Sequence, residues 1–229
     1  MMIGCLCIHG YTGGPYEVEP LVEFLQTRTS WKFEVPTLPG HGTKLDLKGH
    51  YYQEWIAAAE LAYLNLQKSC EKIYVIGFSM GGMIAAYLAA KHKSDKLILL
   101  SAAGKYINVP QMYKDLTGFV TEAIQGSLES NELFLRYQDK VKQTPFSSSL
   151  EFVKCVQFTR PFLREVNCPV LIIQGKQDGM VPDKAAIYLE QEIPSDHKQL
   201  VFLEQSKHLI CHCDDKEELF DTVESFLER

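Results

Sequence analysis

Gly77-Phe78-Ser79-Met80-Gly81 sets a serine between glycines placed two residues before and two after it. The β-branched run Ile73, Val75, Ile76 precedes it, and Met83, Ile84, Tyr87 and Leu88 follow at helical spacing. That pattern reads as a strand, a very tight turn and a helix. A serine forced into such a turn stands clear of the sheet, and the crowding leaves no room for Cβ atoms two residues to either side. The chemistry it points to is nucleophilic attack on an acyl carbon. The plain alternative is a glycine-rich packing turn with an incidental serine, because G-x-S-x-G by itself arises often by chance.

A serine hydroxyl needs a base within hydrogen-bond reach and an acid that orients the base. In doubly wound sheets the loops at the carboxyl ends of the strands converge on one site. Residues 169–174 (PVLIIQ) read as a strand, and Gly175-Lys176-Gln177-Asp178-Gly179 follows it. Residues 199–203 (QLVFL) read as another, followed by Glu204-Gln205-Ser206-Lys207-His208. Asp178 is therefore the favoured acid and His208 the favoured base among seven histidines. Asp183 competes for the acid role, but after Pro182 and before Lys184-Ala185-Ala186 it reads as a helix-end residue. His212 lies farther from its strand than His208. An oxyanion needs two N–H donors. Met80 N–H, at a helix N-terminus, is one expected donor, and Tyr11 N–H, in the loop after the first strand, is the other. His9-Gly10 could also be an ordinary strand-ending turn with a buried, hydrogen-bonded imidazole.

The elements that must position these groups alternate. Residues 2–8 read as a strand, 15–28 as a helix with Val18, Leu21, Val22 and Leu25 on one face, and 32–35 as a short strand. A helix over 53–67, the serine strand and helix, and a strand over 96–100 come next. After the strand at 169–174, a helix over 183–192, the strand at 199–203 and a closing helix over 216–227 complete the chain. This order predicts an α/β fold: a mostly parallel sheet of about six strands with helices on both faces. Lys32, Glu34 and Pro36 mark the second strand as an edge.

Between 103 and 165 no strand is expected. Tyr106, Met112, Leu116, Phe119, Val120 and Ile124 suggest one or two amphipathic helices, Leu133, Phe134, Leu135 and Tyr137 another, and 149–158 a third. The expected division is a core of 1–103 with 166–229 and a helical cap insertion at 104–165. Its aromatic residues predict an apolar acyl pocket.

The chain has 229 residues, enough for one such domain. A formal net charge of -6 argues against a nucleic-acid partner. Seven scattered cysteines and a start that runs straight into a strand predict reduced thiols in a cytoplasm, and no apolar run reaches membrane-spanning length. Cys5 and Cys7, one residue apart on a strand, point the same way and read as small core residues, so no metal site is expected there or at Cys211-His212-Cys213. Gly40-His41-Gly42 is no phosphate loop, since no Lys-Ser/Thr follows.

Taken together, IHGYTGG, LPGHG, GFSMGG, QGKQDGMVP and EQSKH resemble the α/β-hydrolase superfamily, and within it the small bacterial carboxylesterases and monoacylglycerol lipases with a short helical cap. The resemblance covers nearly the whole chain. It implies Ser79 as nucleophile, His208 as base, Asp178 as its orienter, and Tyr11 and Met80 as oxyanion donors. It implies hydrolysis of short- to medium-chain esters or monoacylglycerols without a cofactor, with a small-molecule ester as partner and oligomeric state open. A thioesterase or acyltransferase would use the same residues, and a non-catalytic ligand-binding scaffold would keep only the fold. Two departures stand out. The N-terminal hairpin of the family's sheet is missing. Lys207 stands where relatives commonly have glycine, which predicts about 1 kcal/mol of strain if φ is positive there and a slightly lowered histidine pKa.

Overall fold

The computed structural model describes residues 2–105 and 144–228. Six strands form one sheet: β1 (Ile3–Ile8), β2 (Lys32–Glu34), β3 (Lys72–Phe78), β4 (Lys96–Leu100), β5 (Val170–Gly175) and β6 (Lys198–Leu203). Their order across the sheet is β2-β1-β3-β4-β5-β6, and every neighbouring pair is parallel. The helices between them are α1 (Glu19–Arg28), α2 (Tyr52–Gln67), α3 (Met80–His92), α4 (Phe146–Thr159), α5 (Asp183–Glu192) and α6 (Lys216–Glu228). This is the expected α/β-hydrolase sheet, with a helical cap insertion between β4 and β5. The three-residue β2 lies at one edge, as its charges and Pro36 predict.

The four central strands, β1, β3, β4 and β5, are buried on both faces, and their alternation divides the core in two. Leu6, Ile8, Val75, Leu97, Leu99, Val170 and Ile172 pack under α2, α3, α4 and α5. Cys5, Cys7, Tyr74, Ile76, Ile98, Leu100, Leu171 and Ile173 face α1 and α6. Each fully covered aliphatic or aromatic side chain contributes about 1.5–3 kcal/mol, so register is strongly fixed: a one-residue slip would exchange the two faces. Cys5 and Cys7 fill the second layer with their sulfurs 3.8 Å apart, and all seven cysteines are free thiols.

Helix α3 is buried on every side from Met80 to Ala89. Its all-round apolar surface is explained by α4, which covers the face turned away from the sheet. Of the expected cap helices, the one over 149–158 is present as α4, starting three residues earlier. The segments carrying Tyr106, Met112, Leu116, Phe119, Val120, Ile124, Leu133, Phe134, Leu135 and Tyr137 lie outside the described residues. The helix expected over 15–28 is divided: a 3-10 turn spans Pro15–Glu17 and α1 begins only at Glu19.

Candidate active site

Ser79 sits between β3 and α3 with φ 53° and ψ -117°, a left-handed strand-to-helix turn that stores on the order of 1–3 kcal/mol of strain. The surroundings over-determine it. Ser79 N–H donates to the Leu100 carbonyl at 2.9 Å, and the Ser79 carbonyl accepts from Gly82 N–H at 3.0 Å and Ala103 N–H at 3.2 Å. The two flanking glycines are needed for close approach. A Cβ on Gly77 would meet the Gly81 carbonyl oxygen at 2.3 Å, and one on Gly81 would meet the Ile8 and His9 carbonyl oxygens at 2.3 and 2.4 Å.

His208 reaches this serine from the loop after β6. Asp215 pins that loop by accepting Gln205 N–H at 3.0 Å and the Ser206 hydroxyl. The Ser79 hydroxyl donates to His208 Nε2 at 3.1 Å, and His208 Nδ1–H donates to Asp178 Oδ2 at 2.7 Å. The carboxylate is fixed in turn. Its Oδ1 accepts Met180 and Val181 N–H at 2.8 and 2.9 Å, and Oδ2 also accepts Gln174 Nε2–H at 2.9 Å. Burial works to raise the Asp178 pKa, but the facing His208 and these N–H donors hold it below the usual carboxylate value. Burial likewise works to lower the His208 pKa, and Asp178, with a smaller part from Glu17, carries it above the ordinary histidine value.

The competing residues stand elsewhere. Asp183 opens α5 and pairs with Lys176 at 3.1 Å on a surface where its side chain is 40% exposed. His212 Nε2 is hydrogen-bonded to the Tyr16 carbonyl at 2.8 Å. His9 is indeed a buried, hydrogen-bonded imidazole: Nε2 accepts Leu38 N–H at 3.0 Å, so Nδ1–H donates to the Gly10 carbonyl at 2.8 Å. Burial takes His41 down to about 4, which keeps it neutral.

Lys207 corrects an expectation. Among the described residues, positive φ outside glycine occurs at Thr12, Ser79, Lys93 and Ser101, so Lys207 carries no left-handed strain. Its N–H donates to the Cys213 sulfur at 3.2 Å instead. The His208 pKa is raised, because Asp178, with a smaller part from Glu17, outweighs burial.

Met80 is the first residue of α3, so its N–H belongs to the turn that has no intrahelical acceptor. The Gly10 carbonyl also accepts Gly13 N–H at 3.2 Å. In a trans peptide the N–H points opposite the carbonyl, so Tyr11 N–H is directed away from His9 and Gly13. Gly10 itself lies against Ser79: a Cβ there would be 3.2 Å from Ser79 Cβ.

Sequence reasoning missed three groups. Gln174 looks like the end of an apolar strand, yet its amide donates to Asp178. Glu17 looks like a solvated helix residue, yet it is 2% exposed and accepts Gly10 N–H at 2.8 Å. The Tyr11 side chain ties its loop to the cap: its hydroxyl lies 2.6 Å from Ser148 Oγ, and its ring stacks on Phe152 with centroids 5.0 Å apart. A signal existed only for Glu17, as an acidic residue four positions after Gly13 in a turn opened by Pro15.

Comparisons with known proteins identify the family and the fold. Residues 5–215 match the family described as serine aminopeptidase, S33. A thermostable monoacylglycerol lipase from Bacillus sp. (strain H-257) is 30% identical over 215 residues, covering 90% of this chain and 83% of that protein. A carboxylesterase from Bacillus subtilis (strain 168) is 23% identical, covering 98% of this chain and 92% of that protein. Among solved structures, one described as LipS and LipT, two metagenome-derived lipolytic enzymes, superposes with a TM-score of 0.80 at 23% identity, covering 99% of this chain and 93% of its own. The Paleococcus ferrophilus monoacylglycerol lipase gives 0.73 at 16% identity, covering 98% and 94%.

Proposed function

The chain belongs to the serine aminopeptidase S33 family of α/β-hydrolases, related to bacterial carboxylesterases and lipases with a helical cap, and we propose that Ser79, His208 and Asp178 make it a carboxylesterase for short- to medium-chain esters or monoacylglycerols. It is a hydrolase of the serine esterase and lipase type. The observation that carries the finer reading is the relay from Ser79 through His208 to Asp178, at 3.1 and 2.7 Å, on a strained elbow.

In this reading Ser79 Oγ attacks the ester carbonyl while His208 Nε2 takes its proton. Asp178 holds the imidazole in the tautomer that leaves Nε2 free to accept and stabilises the imidazolium that forms. The oxyanion lies between Tyr11 and Met80 N–H. His208 then protonates the leaving alcohol, and water repeats the cycle on the acyl-serine. Every proton is handled by these side chains, so the scheme calls for no cofactor.

We place the cap at residues 104–165, with the acyl chain beneath it. Phe152 on α4, stacked on Tyr11, supports an apolar wall there. No described helix is long and apolar enough to cross a membrane. The scattered free thiols fit a reducing compartment, and we assign the enzyme to the cytoplasm.

The test is kcat/KM for p-nitrophenyl esters from acetate to palmitate, with fluorophosphonate labelling to report the nucleophile. Each covered methylene contributes about 0.8 kcal/mol, so efficiency should rise over the first few carbons and fall once the chain outgrows the cap. Ser79→Ala should abolish labelling and cost on the order of a million-fold in turnover. A monotonic rise through palmitate overturns the small pocket, and an active, labelled alanine variant overturns the nucleophile.

A further inference from the structure

Glu17 is a buried acid that the reaction scheme does not use. It ends the 3-10 turn after β1, where the sheet side of the turn holds it at 2% exposure. Glu17 Oε2 accepts Gly10 N–H at 2.8 Å. The carboxylate also occupies the space beside Gly13, where a Cβ would lie 1.8 Å from Oε2. Both ends of the Gly10–Gly13 loop are thus shaped by one side chain. Gly10 backs directly onto Ser79, and the Gly10–Tyr11 peptide carries the N–H expected to face the oxyanion.

We infer that Glu17 is a positioning residue for the esterase reaction: it fixes the loop that presents Tyr11 N–H, and it places a second negative charge near the His208 imidazole. The inference rests on the serine-esterase reading above. The two roles act on different groups within one step. Fixing the loop aims a donor at the oxyanion, which acts in the transition state. The charge favours the imidazolium, which forms in the same step.

The groups acting on His208 are Asp178 from the loop after β5 and Glu17 from the turn after β1, and both raise its pKa against burial. Two more titratable groups adjoin the Glu17 turn, on the segment before α6. Burial, together with the neighbouring thiols and Glu17, pushes the Cys211 thiol up, so it stays neutral. Burial and then Lys216 lower His212, whose Nε2–H donates to the Tyr16 carbonyl at 2.8 Å. His212 is therefore neutral in the working pH range and clamps the turn from outside. Glu17 remains, after Asp178, the negative charge that tunes the base.

Two substitutions separate the roles. Glu17→Gln keeps the reach to Gly10 N–H and loses the charge. Glu17→Asp keeps the charge and falls one methylene short. The readouts are the pH profile of kcat/KM on p-nitrophenyl butyrate and the inhibition constant of phenylboronic acid, whose tetrahedral adduct on Ser79 mimics the oxyanion-bearing intermediate. Glu17→Gln should move the acid limb down by about half a pH unit, with boronate affinity within about two-fold of wild type. Glu17→Asp should leave the limb in place, lower kcat about ten-fold with KM little changed, and weaken the boronate by a similar factor. If both variants lower the melting temperature and leave limb and boronate affinity unmoved, Glu17 is only a packing element and the inference is overturned. If the wild type hydrolyses no ester and Ser79 takes no fluorophosphonate, the esterase reading falls and this inference with it.

Discussion

Asp178 and Glu17 are both buried carboxylates that act on one imidazole, and they are held in opposite ways. Asp178 is gripped by its own neighbourhood: Met180 and Val181 N–H from the same turn, and Gln174 from the strand that leads into it. Its fourth donor is His208. Glu17 instead reaches out of its turn to the backbone of another, at Gly10. A carboxylate saturated by local donors can serve as a fixed reference for the histidine. A carboxylate that reaches back along its own connection, from the end of the β1–α1 loop to its start, closes that loop on itself. The same chemical group thus orients a side chain in one place and shapes a backbone in the other.

The sharpest way to break that comparison is at the reference. Asp178→Asn should cost roughly ten-thousand-fold in kcat, because an amide at this point favours the wrong imidazole tautomer. Glu17→Gln should cost far less, and a reversed ranking would exchange the roles assigned to the two acids.

Stability should respond to pH through the same pair. Asp178 is lowered in the fold, so its contribution is present above the unfolded carboxylate value of about 3.9 and is lost as pH falls through the folded value. His208 is raised, so its contribution is full below the unfolded value of about 6.5 and is lost as pH rises through the folded value. Urea melts of wild type and Asp178→Asn across pH should differ most between these limits. An equal difference at pH 5 and pH 9 would show that the pair is not ionised as drawn. In the rate profile, the acid limb of kcat/KM should lie above about 6.5.

Smaller effects sharpen the picture. Asp183→Asn removes a surface pair with Lys176 and a helix-end charge, so stability should change by about 1 kcal/mol or less, with kcat untouched. Tyr11→Phe removes the hydrogen bond to Ser148, worth about 1 kcal/mol, while leaving the ring on Phe152 and the backbone N–H. Chemical denaturation should register it, and a large fall in kcat would mean that the hydroxyl itself serves the reaction.

Why some of this was legible in the sequence and some was not has a physical answer. A parallel strand buried on both faces must be a continuous apolar run, so β1, β3, β4 and β5 announced themselves, and the residue types just past their ends pointed to Ser79 and Asp178. His208 was reachable the same way, through the half-exposed β6. Glu17 was hidden because Pro15 suggested one helix through Arg28. The chain makes a 3-10 turn first, and Glu17 is buried at its end. Gln174 was hidden because alternation assigns a strand residue to a face but says nothing of a partner on the next loop. Lys207 misled for a related reason. Whether a position needs positive φ depends on the path of the loop, and here Asp215 and Cys213 hold that loop without it.

The Tyr11 contacts with Ser148 and Phe152 bear on how such an enzyme can be altered. One residue belongs both to the loop proposed to face the reacting carbonyl and to the contact surface of the cap. Selection for a new acyl preference through substitutions on α4 would then alter turnover in the same step, and the two traits would not vary independently. A cap grafted from a relative would need Tyr11 and its α4 partners transferred as a set. Laboratory evolution that saturates Ser148 and Phe152 alone should therefore yield specificity variants that are also slow, until a second change at position 11 restores the fit.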